Sequence, residues 1–267
     1  MVSVSFLNQK KNQNFFKMEH SKIYLESCMD TMKRIGDKEI DLIVTSPPYN
    51  LLGKVVKGKV VKRSEGSASG IAKKYADFED FMKPDDYYAF HSTVIREMFR
   101  ISKQVAYNIM ITTGNKSSLF KIIGEFAEDI KDIIVWSKPN PQPAIGVGVL
   151  NRGSELIIMF DSVAPVGRKF SNFNFERGTV NDVWTDIKNN KQYTGTHSAG
   201  MPIDLAVKLI DRFSKPGELV YDPFMGTGTT AIASILTGRK WIGSEISESY
   251  HTLSLERIKN FKKENGI

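Results

Sequence analysis

Leu219-Val220-Tyr221-Asp222-Pro223-Phe224-Met225-Gly226-Thr227-Gly228 is the stretch that decides the fold. A short apolar run ends in an acid, two glycines follow, and a helical pattern starts at Thr229. A strand that turns on glycines into a helix lets backbone approach a ligand closely, with free helix N–H groups behind it. A second apolar run, Trp241-Ile242-Gly243-Ser244-Glu245, also ends in an acid, placed to accept both hydroxyls of a ribose. The spacing stops short of Gly-x-Gly-x-x-Gly, because Thr230 and Ala231 stand where the third glycine would fall, and no Walker lysine follows. Asp222 suits a cationic group. The ligand indicated has a ribose, an amine and no phosphate, which S-adenosyl-L-methionine satisfies.

Working outward, strands are expected over residues 23–25, 40–45, 105–112, 132–136, 155–160, 219–221 and 241–243. Helices are expected over 30–35, 85–101, 116–128, 202–213, 229–236 and 248–262. Strands alternating with helices imply an α/β fold with a mostly parallel sheet. At 267 residues the chain suits one large domain: a flexible tail over 1–20 and a single domain over 21–267.

Composition narrows the partners. Hydrophobic residues make up 41% and charged residues 25%, as expected of a chain with a real core. A net charge of +7 and a pI near 9.2 favour a polyanion such as nucleic acid. Cys28 is the only cysteine, and His20, His91, His197 and His251 are scattered without ligand spacing, so neither a disulfide nor a metal site is expected. No apolar segment approaches the length needed for a signal peptide or a membrane span, which points to a cytoplasmic protein associated with the nucleoid through DNA.

The run 40–45 leads into Ser46-Pro47-Pro48-Tyr49. Neither proline donates a backbone N–H and each fixes its own φ, so the chain must leave the strand in a rigid turn. That turn holds a small hydroxyl, a carbonyl and an aromatic face together, a combination suited to gripping a flat hydrogen-bonding ring. After it, residues 53–76 read as a long basic loop, with Lys54, Lys57, Lys62, Arg63 and Lys73 as candidate phosphate contacts. Lys138, in a proline-punctuated loop, and Arg168, Lys169 and Arg177, in the aperiodic stretch 164–195, complete the basic candidates.

The pairing of Thr45-Ser46-Pro47-Pro48-Tyr49-Asn50 with Asp222-Pro223-Phe224-Met225-Gly226-Thr227-Gly228 resembles the amino-methylating DNA methyltransferases, which modify adenine N6 or cytosine N4. Trp136-Ser137-Lys138-Pro139-Asn140 and His197-Ser198-Ala199-Gly200-Met201-Pro202 are similar to family segments as well. The catalytic motif precedes the cofactor motif, the family's β arrangement, a circularly permuted order with the target-recognition region between the motifs. The resemblance implies a Rossmann-like S-adenosylmethionine-dependent methyltransferase fold with helices on both faces of the sheet. It implies Ser46, Pro47, Pro48 and Tyr49 as catalytic residues. It assigns the cofactor to Ser27, Cys28, His197, Ser198, Pro202, Asp222, Phe224, Gly226, Gly228, Thr229 and Glu245, although the usual Gly-Asp-Cys is here Glu26-Ser27-Cys28. It also implies double-stranded DNA as substrate and 164–195 as the recognition region. A cognate restriction endonuclease and a homodimer are further partners that the family admits and the sequence does not display.

The chemistry explains the motif. An exocyclic amine is a poor nucleophile because its lone pair is delocalised into the ring. Acceptors aimed at its N–H groups, here the Ser46 hydroxyl and the Pro47 carbonyl, localise that lone pair while Tyr49 stacks on the base. Such a base must first leave the duplex, at a cost of a few kcal/mol. Cys28 lacks a Pro-Cys context, so a C5-cytosine mechanism is not expected. Serine at position 46 is the pattern of the cytosine-N4 members, and a hydroxyl can donate as well as accept. Asn50 is common in the adenine members and pulls the other way. The rival classes are an RNA or protein-glutamine methyltransferase, against which the motif order argues, and an inactive DNA-binding homologue, against which the intact motifs argue.

Overall fold

The computed structural model describes residues 20–62, 80–139, 141, 147–187 and 200–267. Residues 1–19 of the expected tail, and Arg63, Lys73, His197 and Ser198 among the expected site residues, lie outside the described residues. In chain order the elements are β1 (Lys22–Leu25), α1 (Cys28–Arg34), β2 (Ile40–Thr45), β3 (Gly53–Val56), β4 (Lys59–Lys62), α2 (Pro84–Ile101), β5 (Ser102–Ile109) and α3 (Lys116–Glu125). There follow β6 (Ile130–Ser137), β7 (Ser154–Asp161), β8 (Val183–Trp184), α4 (Ile203–Phe213), β9 (Leu219–Asp222), α5 (Thr229–Leu236), β10 (Lys240–Glu245) and α6 (Glu248–Glu264).

Eight strands form one sheet in the order β1-β10-β9-β2-β5-β7-β6-β8. The first five are mutually parallel, β7 runs antiparallel to both its neighbours, and β8 lies parallel to β6. This is the mostly parallel sheet the alternating pattern implied. The carboxyl ends of β1, β10, β9, β2 and β5 therefore share one edge with the start of β7. At the centre β2 pairs with β9, Leu42 opposite Val220 and Ile43 opposite Tyr221, which places Thr45 beside Asp222.

β2 shows why the sheet is covered twice. Successive side chains point to opposite faces. Ile43 packs with Met32, Ile95 and Met98 of α1 and α2, whereas Leu42 and Val44 pack with Leu205, Leu209 and Ile210 of α4. A third cluster joins Ile232 of α5 to Ile258 and Phe261 of α6. Apolar side chains are thus buried on both faces, as a mostly parallel sheet requires.

One expectation needs correction. The segment 53–76 does not open as a structureless loop: β3 and β4 form an antiparallel hairpin. Its turn is Lys57-Gly58, at φ 48° and 75°, the pair of left-handed residues that a type I′ two-residue hairpin turn requires. The described part of 164–195, the expected recognition region, is mostly exposed but anchored by aromatic side chains. Phe170 and Phe175 pack on Phe213 at 5.0 and 5.8 Å between centroids, and Trp184 is buried with its Nε1 donating to the Asn181 carbonyl at 2.7 Å. These aromatics cover the outer side of α4. They sit at contact points of an irregular chain, so they leave no period to read.

Candidate active site

The Ser46–Tyr49 loop is held by groups that its own sequence does not contain. Asp80, buried, accepts from the Asn50 and Leu51 amides at 2.7 and 2.9 Å, and burial raises its carboxyl above the usual range. Tyr87 donates its hydroxyl to the Pro48 carbonyl at 2.8 Å. Thr112 and Asn115 both donate to the Tyr49 carbonyl, at 2.9 and 3.0 Å. The Pro47 carbonyl has no hydrogen-bond partner among the described residues, so it keeps its lone pairs for a ligand.

Asn50 closes the turn at φ 56°, a conformation asparagine tolerates better than most residues. Its amide donates to the Met82 and Gly114 carbonyls at 2.9 Å each, and its oxygen accepts from the Met82 amide at 2.8 Å. Gly114 permits this contact: a Cβ there would lie 2.0 Å from the Asn50 carbonyl oxygen. Asn50 is thus fully committed to the loop's shape, a role independent of which base is bound.

Beside the loop lies a cavity of about 260 Å3. Ser46, Pro47, Pro48 and Tyr49 line it from β2, and Asp222, Phe224, Gly226 and Thr229 line it from β9 and α5. Glu245 does so from β10, and Glu26, Ser27 and Cys28 from the β1–α1 turn. Pro202 does not reach the cavity wall; it is the N-cap of α4, and its neighbours Gly200 and Met201 reach the wall instead. Gly228 is also behind the wall. It caps α5 at φ 81°, and a Cβ there would press on Ile258 and Ser254 of α6 at 3.2 and 3.3 Å. Its glycine is required by backbone conformation and helix packing rather than by close approach to a ligand.

The two acids at the strand ends differ. Asp222 is buried, and burial lifts its pKa to about 6 even though it accepts from Thr230 at 2.6 Å, Thr45 at 2.7 Å and the Phe224 amide at 3.0 Å. Glu245 accepts from the Gly226 amide at 2.8 Å and the Ser247 amide at 2.9 Å, and burial raises its pKa too. Each of its oxygens takes one of these bonds and retains a lone pair, as a diol partner needs. An apolar-walled cavity with one acid suited to a diol and another suited to a cation fits S-adenosylmethionine. Arg257 of α6 holds the glycine turn from behind, bonding the Thr227 carbonyl at 2.9 Å and the Thr229 hydroxyl at 3.1 Å.

Ser27 lines the cavity and caps α1, its hydroxyl accepting from the Met29 amide at 3.3 Å and keeping its own proton to donate. Glu26 does not stand in for the family's aspartate, because Arg34 and Thr31 occupy its oxygens. Burial pushes the Cys28 thiol up to about 12, which leaves it without nucleophilic character near neutral pH.

The basic candidates separate into two groups. Lys54, Lys57 and Lys62 lie on the β3–β4 hairpin, whose first residue, Gly53, packs against Gly114 next to the catalytic loop. Arg168 lies at the opposite edge of the sheet, where it pairs with Asp132 near the start of β6 at 2.9 Å. Lys169 follows it there; Arg177 is exposed on the segment that returns along α4. The structure does not bring Arg168 or Lys169 to the cavity. Lys138 is at the correct edge but is engaged, paired to Glu155 at 2.5 Å and lying 5.3 Å from the Trp136 ring centre.

Glu155 is the residue that sequence reading passed over. Buried at the head of β7, it accepts from the Tyr49 hydroxyl and from Asn108 Nδ2, both at 2.9 Å. Asn108 Nδ2 also donates to the Tyr49 hydroxyl at 2.8 Å, and that hydroxyl lies 2.7 Å from Ser46 Oγ. Nothing in the sequence marks a glutamate that starts an antiparallel strand as the neighbour of a loop over a hundred residues earlier.

A family model for DNA methylases of the N6/N4 type matches residues 40–256. The chain belongs to that family. The type II methyltransferase M.HinfI of Haemophilus influenzae is 28% identical over 255 residues, covering 88% of this chain and 67% of its own length. In fold, the cytosine-N4-specific PvuII DNA methyltransferase superposes with a TM-score of 0.67 at 14% identity, covering 93% of this chain and 94% of its own. M1.HpyAVI, solved as a complex with S-adenosylmethionine, gives 0.58 at 18% identity over 88% of this chain and 98% of its own. The N6/N4 DNA methylases use S-adenosylmethionine as methyl donor and double-stranded DNA as substrate. No helix among the described residues is long and apolar enough to cross a membrane.

Proposed function

We propose that this methylase acts on the exocyclic amine of a base flipped out of duplex DNA, with N4 of cytosine as its target. The observation that carries the reading is the meeting of Ser46 and the Pro47 carbonyl with Asp222 and Glu245 on one cavity. The cofactor supplies an electrophilic methyl group. Glu245 would hold its ribose and Asp222 its ammonium, while Phe224 and Gly226 shape the wall. The acceptors Ser46 Oγ and Pro47 O polarise the amine, and the Tyr49 ring stacks on the base. The rigid clamp of Asp80, Tyr87, Thr112 and Asn115 holds these acceptors in place before the base arrives.

Cytosine is favoured because serine at the head of the loop is the pattern of the cytosine-N4 members. The pull of Asn50 toward adenine weakens, since its side chain is occupied in closing the turn. One observation supports adenine N6 as a second reading: the bonds around Tyr49 make Ser46 an acceptor, as an aspartate would be. The hairpin lysines Lys54, Lys57 and Lys62 are proposed to grip phosphates beside the site, and Arg63 and Lys73 would extend that grip.

The test is nuclease digestion of duplex DNA after incubation with methyl-labelled cofactor, followed by mass spectrometry of the nucleosides. N4-methylcytosine is expected. Label found only in N6-methyladenine overturns the choice of base, and label absent from DNA but present on RNA or protein overturns the reading as a whole.

A further inference from the structure

The Tyr49 hydroxyl is not idle. It donates to Glu155 Oε2 at 2.9 Å and accepts from Asn108 at 2.8 Å, so the short contact to Ser46 at 2.7 Å must use the serine's own proton. Ser46 Oγ therefore directs its hydrogen inward and, accepting a long bond from Asn108 Nδ2 at 3.4 Å, keeps a lone pair for the cavity. The order Ser46→Tyr49→Glu155 is a continuous donor chain ending on a buried carboxylate. Its other oxygen is held by Lys138 at 2.5 Å.

We propose that Glu155 is a positioning residue for methyl transfer: it fixes Ser46 as an acceptor and receives, through Tyr49, the proton that the amine must lose. This rests on the reading of the cavity as an amino-methyltransferase site. When the N–CH3 bond forms and the S–CH3 bond breaks, the electron pair of the latter stays on sulfur. The nitrogen then carries one proton too many. That proton passes to Ser46 Oγ as the serine's own passes to the Tyr49 oxygen and the tyrosine's to Glu155 Oε2. The positive charge of the sulfonium and the negative charge of the carboxylate are both discharged. Losing the proton restores conjugation of the nitrogen with the ring, so the step is downhill for the base.

The relay also supplies what the loop lacks. A serine has no charge with which to polarise an amine, and a carboxylate two hydrogen bonds away acts through the serine oxygen. Positioned proton transfer typically contributes about 10²–10⁴-fold to a rate.

The test uses the full chain in single-turnover methyl transfer to duplex DNA, with cofactor affinity measured separately by calorimetry. Glu155→Gln keeps the volume and an acceptor for Tyr49 but cannot take a proton. It is expected to lower the transfer rate by about 100-fold with cofactor affinity unchanged. Tyr49→Phe, which keeps the stacking ring, is expected to lose a similar factor, and the two changes together no more than either alone. In the 13C spectrum of ring-labelled protein, the Tyr49 Cζ resonance is expected to shift in Glu155→Gln, a readout independent of turnover. Because Glu155→Gln leaves Lys138 without its partner, Lys138→Gln combined with it separates charge balance from proton transfer. The relay requires the double variant to remain slow.

Rates within threefold of wild type for Glu155→Gln or Tyr49→Phe overturn the proposal, as does recovery in the double variant. Wild-type protein that transfers no methyl group to DNA refutes the parent reading instead.

Discussion

Asp222 is the residue whose environment most constrains behaviour. Its carboxyl, at about 6 in the fold against an ordinary 3.8, is raised by burial. A raised acid favours the fold while protonated, so its contribution is present below the ordinary range and is lost as pH rises through 6, a change of about 3 kcal/mol. A bound ammonium reverses the preference by demanding the carboxylate. Cofactor affinity is accordingly expected to weaken about tenfold between pH 7.5 and pH 5 in calorimetry, and Asp222→Asn to remove that dependence. Tyr49→Ala is expected to lower turnover by more than 100-fold while moving cofactor affinity by less than threefold, because stacking on the base serves the second substrate only.

Among the elements, the glycine turn and the hairpin carry separate predictions. Gly228→Val places a branched side chain at φ 81° against Ile258 and Ser254, so α6 must shift and the turn with it. Thermal unfolding should fall by several degrees and cofactor binding should be lost together with it, rather than binding alone. Replacing Lys54, Lys57 and Lys62 by glutamine should leave cofactor affinity unchanged and reduce the salt slope of DNA binding by about one for each phosphate contact removed.

Elements with one strong period were legible in sequence. The helix Ile203–Phe213 and the strand Ile40–Thr45 were marked by their apolar spacing, and the glycine turn by its glycines. The hairpin was not, because Lys, Val and Gly alternate there without a sustained apolar period, and the Lys57-Gly58 turn sets the pairing. The 164–187 cover was not, since Phe170 and Phe175 answer to Phe213 of α4, a contact that no regular spacing in the sequence marks.

For the whole molecule, the permuted motif order becomes one site because β2 and β9 are adjacent at the centre of the sheet. The Thr45–Asp222 bond at 2.7 Å, between residues far apart in sequence, is the joint between the two halves. Sequence supplied both motifs and their chemistry. It could not supply Glu155, Asn108 or Asp80, which reach the loop only because β5 ends, β7 begins and the chain before α2 passes at the same sheet edge. Ser46, from one half, is expected to act on an amine delivered to the cofactor held by the other. Single-turnover methyl transfer to duplex DNA by Ser46→Ala tests it most directly, with cofactor affinity measured on the same protein. A rate at least 100-fold below wild type at unchanged affinity is expected, and a wild-type rate would contradict the account.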